Sequence, residues 1–201
     1  NPDYSDSHNN LGVIFYELKK YDEAVQSYER ALTIDPEYAE AHNNLGVSLN
    51  KLGQLEEAVK SYERALIINP AYSDSYNNLG VVQKKQGKLD AAIKSYESAL
   101  LINSGDADTY NNLGIVLSEL ERLDDAIKSY GKAIAMNPEF AEAHNNLGHV
   151  FSKLNQYLDA LKAYEKAFDI KPDLNYVLGN ILGGKMNSCS WDGLTKLLNE
   201  T

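Results

Sequence analysis

The chain has one cysteine, five prolines, one tryptophan and two methionines in 201 residues. A lone thiol, Cys189, closes no internal disulfide, so nothing calls for an oxidising compartment and a cytoplasmic setting is expected. No apolar run approaches the ~20 residues of a membrane span, and no secretory leader opens the sequence, so a membrane-embedded protein is not expected. Basic residues are also short: 19 Lys and Arg stand against 29 Asp and Glu, for a net charge of −10 and a pI near 4.8. Nucleic acid needs a dense basic face for its phosphates, so it is excluded as a partner. Gly183-Gly184 has no phosphate-loop context.

What the chain has in abundance is repetition, which bears on the fold before any single motif does. The word His8-Asn-Asn-Leu-Gly12 returns at His42, Tyr76, Tyr110 and His144 with only its first letter varying. These words mark five units of 34 residues without insertion or deletion: 5–38, 39–72, 73–106, 107–140 and 141–174. A broken sixth unit fills 175–201, and residues 1–4 match the close of a unit, so the chain is expected to begin inside a longer array.

Each unit predicts two helices. Leu11, Gly12 and Phe15 share one helical face, as do Tyr21, Ala24, Tyr28 and Ala31 in the helix that follows. Asp-Pro or Asn-Pro at 35–36 and 69–70, Asn-Pro at 137–138 and Lys-Pro at 171–172 stop the second helix sharply. Unit three replaces that proline with Ser104-Gly105, and Gln83 stands where the other units are apolar. Gly12, Gly46, Gly80, Gly114 and Gly148 fall inside helices, where glycine costs about 1 kcal/mol against alanine, so each is expected to permit close helix contact. The alanines at 24, 58, 92, 126 and 160 are the expected partners in that contact, and the tyrosines at 28, 62, 96, 130 and 164 the expected core.

These residues resemble the tetratricopeptide repeat continuously over about 170 residues. The resemblance implies an all-α fold: a right-handed superhelix of five helix-turn-helix repeats with a C-terminal capping helical segment, its first helices lining a concave groove. At about 100° per residue, His8, Leu11, Gly12 and Phe15 face inward to the packing while Asp6, Asn10, Val13 and Glu17 lie opposite. The groove face then carries three rows. Asn10, Asn44, Asn78, Asn112 and Asn146 supply amides, each with donors and acceptors suited to the main chain of an extended polypeptide. Asp6, Glu40, Asp74, Asp108 and Glu142 form an acidic row that favours basic or hydroxyl-bearing peptides. Val13, Val47, Val81 and Ile115 form an apolar row, broken by His149, an imidazole suited to tuning binding with pH. The first amides of the pairs (Asn9, Asn43, Asn77, Asn111, Asn145) are expected to hydrogen-bond between repeats.

No catalytic residues, metal site or cofactor are expected. His8, His42 and His144 occupy the position that is tyrosine in units three and four, and neighbours would lie ~10 Å apart, too far to share a zinc whose ligands approach to ~2 Å. A Lys/Asn/Arg clamp for chaperone tails is absent, since the corresponding places hold Asn9, Val13, Asp74 and Asn78. The amide row beside an acidic row instead resembles the superhelix of O-GlcNAc transferase and the Spindly-type enzymes. Tyr176-Val-Leu-Gly-Asn-Ile-Leu-Gly-Gly-Lys-Met-Asn-Ser-Cys-Ser-Trp191 is similar to the stretch that leads into their glycosyltransferase domain in bacterial members. That resemblance implies a substrate-recruiting arm of a protein O-glycosyltransferase, inactive without its catalytic lobes. The alternatives are a cap, with Leu178, Ile181, Leu182, Trp191 and Leu194 covering unit five, and a stand-alone scaffold for complex assembly or self-association through repeat ends.

Overall fold

The computed structural model describes residues 2–173 and 177–188. Among them the chain is all helical, with successive helices packed in antiparallel pairs and no strands. Two compact units divide it, Asn1–Gly105 and Asp106–Thr201. The first holds α1 (Pro2–Glu17), α2 (Tyr21–Ile34), α3 (Ala39–Lys51), α4 (Leu55–Ile68), α5 (Ser73–Lys85) and α6 (Leu89–Ile102). The second holds α7 (Ala107–Glu119), α8 (Leu123–Met136), α9 (Ala141–Lys153), α10 (Tyr157–Ile170) and α11 (Val177–Ser188).

Within each pair the joint is a left-handed C-cap. Gly53 takes φ +78°, and the Gln54 N–H reaches back to the Leu49 carbonyl at 2.9 Å, the six-to-one bond that closes a Schellman motif. Lys19, Glu121 and Asn155 adopt the same positive φ without glycine's freedom. Between pairs, the residue before the proline organises the turn: Asp35 Oδ1 accepts from the Glu37 N–H at 3.0 Å, and Asn69 Oδ1 from Ala71 at 3.1 Å. Asn103 does the same for Gly105 at 3.2 Å, so the proline-free third unit keeps its turn through an amide side chain. Gln83 is likewise accommodated, its Oε1 accepting from Ser95 Oγ at 2.7 Å.

The nearest neighbours of the helical glycines are tyrosine rings of the second helix, a contact the sequence reading had not assigned to them. A Cβ built on Gly46 would stand 2.7 Å from Tyr62 Cε1, and one on Gly12 2.5 Å from Tyr28 Cε1. The ring of the second helix packs against the bare backbone of the first, in the space a glycine Cβ would take. Each such ring removes roughly 150–250 Å² from water, about 4–6 kcal/mol of gross transfer free energy before entropy is charged. The alanines at 24, 58 and 92 in unit one, and at 126 and 160 in unit two, are themselves fully buried.

Candidate functional site

The first helix of every repeat carries the polar face. In unit one Asp6, Asn10 and Glu17 of α1 are exposed and Val13 is 38% exposed, as the helix angles require. Val47 and Val81 are half-buried on the corresponding faces of α3 and α5. In unit two Asp108 is exposed, Ile115 and Glu142 half-buried.

The amide row differs from expectation in one respect. Asn10 is exposed, but Asn44, Asn78, Asn112 and Asn146 are half-buried, and for Asn44, Asn78 and Asn146 the second amide bonds the first amide of the repeat before it. Asn44 Nδ2 donates to Asn9 Oδ1 at 3.1 Å and Asn78 Nδ2 to Asn43 Oδ1 at 3.1 Å. In unit two Asn146 Nδ2 donates to Asn111 Oδ1 at 3.0 Å. The first amides are the acceptors of these inter-repeat bonds, in keeping with the structural role read from the sequence, and Asn9, Asn43 and Asn111 are buried. Asn43 Oδ1 also takes the buried Ser75 hydroxyl at 2.9 Å. The relay uses one N–H of each second amide. The Oδ1 atoms of Asn78 and Asn146 have no hydrogen-bond partner among the described residues.

One further member escaped the sequence reading. Asn180 Nδ2 donates to Asn145 Oδ1 at 3.0 Å, continuing the relay into α11. Its signal was its place 34 residues after Asn146, hidden because Gly179 interrupts the repeated word. Helix α11 docks through Val177 and Ile181, both fully buried against Leu161, Tyr164 and Ala167, so the capping role assigned to Ile181 holds. Leu178 and Leu182 are half-buried, while Tyr176, Trp191 and Leu194 lie outside the described residues.

The acidic row is partly tied into the fold. Glu40 Oε1 accepts from Asn9 Nδ2 at 3.3 Å, and Tyr38 donates its hydroxyl to Asp6. Burial, then that bond, push the Tyr38 phenol up to about 12. Glu142 pairs with Lys171 at 3.1 Å. Burial, then the neighbouring carboxylates Asp106 and Glu142, hold the Asp108 carboxyl above the ordinary range.

His149 has partners on two other helices. Its ring stands edge-on to Tyr164, 5.4 Å between centroids, with Nδ1 3.2 Å from the Tyr164 hydroxyl and Nε2 3.2 Å from Asn180 Nδ2. An amide N–H aimed at Nε2 requires a lone pair there, which leaves the ring proton on Nδ1. Burial, helped by Lys153 on the same helix, lowers the His149 pKa. A folded value below the ordinary ~6.5 means the unfolded chain binds the proton more readily, so this contribution is complete above ~6.5 and is lost as pH falls below it. The thermal midpoint should therefore drop between about pH 7.5 and 5.5, and drop less in His149→Phe. Equal drops in the two proteins would rule the link out. The Lys185–Glu165 ion pair at 3.3 Å also joins α11 to α10.

His42 and His144 spend Nε2 on the carbonyls of Pro36 and Pro138 at 3.0 Å, fastening the first helix to the preceding turn. Among the described residues no three His, Cys, Asp or Glu side chains gather as metal ligands, and no helix is long and apolar enough to cross a membrane.

Helix pairs of fixed length, a glycine under a tyrosine and an identical joint every 34 residues define a class of repeat built for protein–protein interaction. The TPR repeat profile matches residues 12–53, 48–87 and 116–155, and the tetratricopeptide repeat profile matches 73–106 and 141–174. The chain belongs to the tetratricopeptide repeat family. Among solved structures it is similar to MamA (25% identity, TM-score 0.74, 81% of this chain and 95% of that one). It is also similar to pilF of Pseudomonas aeruginosa (19% identity, TM-score 0.87, 97% and 89%) and to YrrB (24%, 0.70, 86% and 89%), which show the shared fold. No curated protein sequence matches significantly.

Proposed function

We propose that the first-helix face of each unit binds an extended polypeptide, with Asn10, Asn44 and Asn78 in unit one and Asn112, Asn146 and Asn180 in unit two contacting its main chain. The observation that carries this reading is that Asn44, Asn78, Asn146 and Asn180 each have an N–H fixed by the neighbouring repeat while the side chain keeps acceptor capacity. Such an amide is pre-positioned, so a peptide N–H that meets it loses little to ordering the side chain. Asp74, Asp108, Glu142 and the other acidic positions bias the ligand toward basic sequences, and Val13, Val47, Val81 and Ile115 add apolar contact. YrrB, described as a TPR protein with an unusual peptide-binding site, shares the fold alone; the reading for this chain rests on its own face.

The finer reading is that this chain recruits substrates for a protein O-glycosyltransferase similar to O-GlcNAc transferase. Parallel amide and acidic rows support it, as does the stretch from Tyr176 to Trp191, part of which lies outside the described residues. Sequencing the gene beyond Thr201 tests it: a glycosyltransferase domain is the expected result, and a stop codon would leave a stand-alone scaffold. The peptide reading is tested by the double variant Asn44→Ala, Asn78→Ala, read by anisotropy of labelled Gly/Ser-rich basic peptides. Binding should weaken by about tenfold, two hydrogen bonds at ~0.5–1.5 kcal/mol each, while the helical circular dichroism is kept. Unchanged affinity would reject the amide row as a contact.

A further inference from the structure

One cleft in unit one gathers polar and apolar side chains from three helices. It is a cavity of about 200 Å³ lined by Val13, Tyr16 and Glu17 of α1, Tyr28 of α2, and Asn44 and Val47 of α3. At ~30 Å³ per water it holds the volume of about six or seven waters, room for one side chain and no more. Tyr28 is 2% exposed and lines this cavity, and its hydroxyl has no hydrogen-bond partner among the described residues. The equivalent hydroxyl of Tyr62 in the second repeat is likewise without a hydrogen-bond partner among the described residues, whereas that of Tyr164 in the fifth is met by His149. Val13 stands at the corresponding place in the first repeat and offers no polar atom.

The mouth of the cavity is acidic. Glu17 is exposed and makes neither a hydrogen bond nor an ion pair among the described residues. Burial, and after it Tyr16, Glu40 and Glu17, push the Tyr28 phenol up, so its hydroxyl stays neutral and both carboxylates are near enough to be felt there. At later junctions a lysine bonds the residue that matches Tyr16: Lys85 Nζ donates to Asn50 Oδ1 at 2.7 Å, and in unit two Lys153 Nζ reaches the Ser118 carbonyl at 3.5 Å and Glu121 at 2.9 Å. At the first junction Tyr16 replaces that acceptor, and Lys51, the counterpart of Lys85 and Lys153, makes no hydrogen bond or ion pair among the described residues.

We propose that this cavity is a specificity pocket for a lysine side chain of the bound polypeptide. The aliphatic stem lies between Val13 and Val47 and against the Tyr16 ring. The ammonium has three N–H donors, and the lining residues carry three acceptors: the Tyr28 hydroxyl oxygen, the Glu17 carboxylate, and Asn44 Oδ1, whose second lone pair remains while it accepts from Asn43 Nδ2 at 3.5 Å. A cation beside tyrosine faces gains from their quadrupole as well. The pocket deepens the peptide-binding reading and rests on it. It adds to the acidic row a single place where one residue type is read.

The test uses the 201-residue chain and labelled Gly/Ser peptides that differ only at one central residue: lysine, norleucine, arginine or glutamate. The lysine peptide should bind about tenfold more tightly than the norleucine peptide, which has the stem without the charge. Glu17→Gln and Tyr28→Phe should each remove several-fold of that preference and leave norleucine binding unchanged. Retained helical circular dichroism in Glu17→Gln, a surface change, keeps the result readable if Tyr28→Phe perturbs packing. Equal binding of lysine and norleucine peptides overturns the pocket while sparing the peptide face, as does an arginine preference over lysine. Failure of every peptide to bind overturns both.

Discussion

Gly46→Val is expected to destabilise the first unit by about 3 kcal/mol, the upper end for forcing bulk into a packed core. The smallest side chain already brings a carbon 2.7 Å from the Tyr62 ring, and valine adds two methyls to the same space. Tyr62 is fully buried and backed by Leu49, Leu79 and Val82, so the ring has nowhere to retreat. The helix separates or the ring leaves. Gly46→Ala should cost less, because about 1 kcal/mol of helix propensity is recovered. Gly131 supplies the control: it lies in α8 with nothing within 4 Å of a built Cβ, so Gly131→Ala should stabilise by up to about 1 kcal/mol. Chemical denaturation of the three variants decides the matter. If Gly46→Ala and Gly131→Ala shift the midpoint alike, the glycine–tyrosine contact is not what holds the pair together.

Asn43→Ala should be the most damaging single loss among the amides, about 2 kcal/mol. Its Oδ1 accepts two donors from the following repeat, the Ser75 hydroxyl at 2.9 Å and Asn78 Nδ2 at 3.1 Å. Ser75 is fully buried, so removing its acceptor leaves a hydroxyl with no water to turn to. The asymmetry between breaking a bond and deleting both its ends gives a sharp check. Adding Ser75→Ala to Asn43→Ala should cost less than the sum of the single changes, because the orphaned donor goes too. Strict additivity in equilibrium unfolding would show that the two side chains do not share a bond that matters.

The period, the helix pairs and the buried tyrosines were readable because they depend on spacing along one chain. The outward direction of Asp6, Asn10 and Val13 followed from helix angles for the same reason. What spacing could not show was how far a neighbouring repeat reaches. A helical wheel places Asn44 on the polar side of α3 but is silent about Asn9, 35 residues away, whose oxygen takes one of its protons. The same limit hid the partners of His149, which come from α10 and α11, and the cavity beside Tyr28, which three helices enclose. The glycine's nearest neighbour was missed because pairing small with small is the simplest guess. A ring on a bare helix satisfies the packing equally well and buries more surface.

The amide relay has a consequence for how such a chain can change over time. Donor and acceptor are adjacent letters of the same repeated word, so every copy brings both halves of the joint with it. A whole unit can be copied or lost by recombination, and the flanking units meet with the bond already in register. A single-residue insertion has no such protection, since it breaks the 35-residue spacing of the joint that spans it. Genetic drift in this protein should therefore favour changes in length by whole repeats.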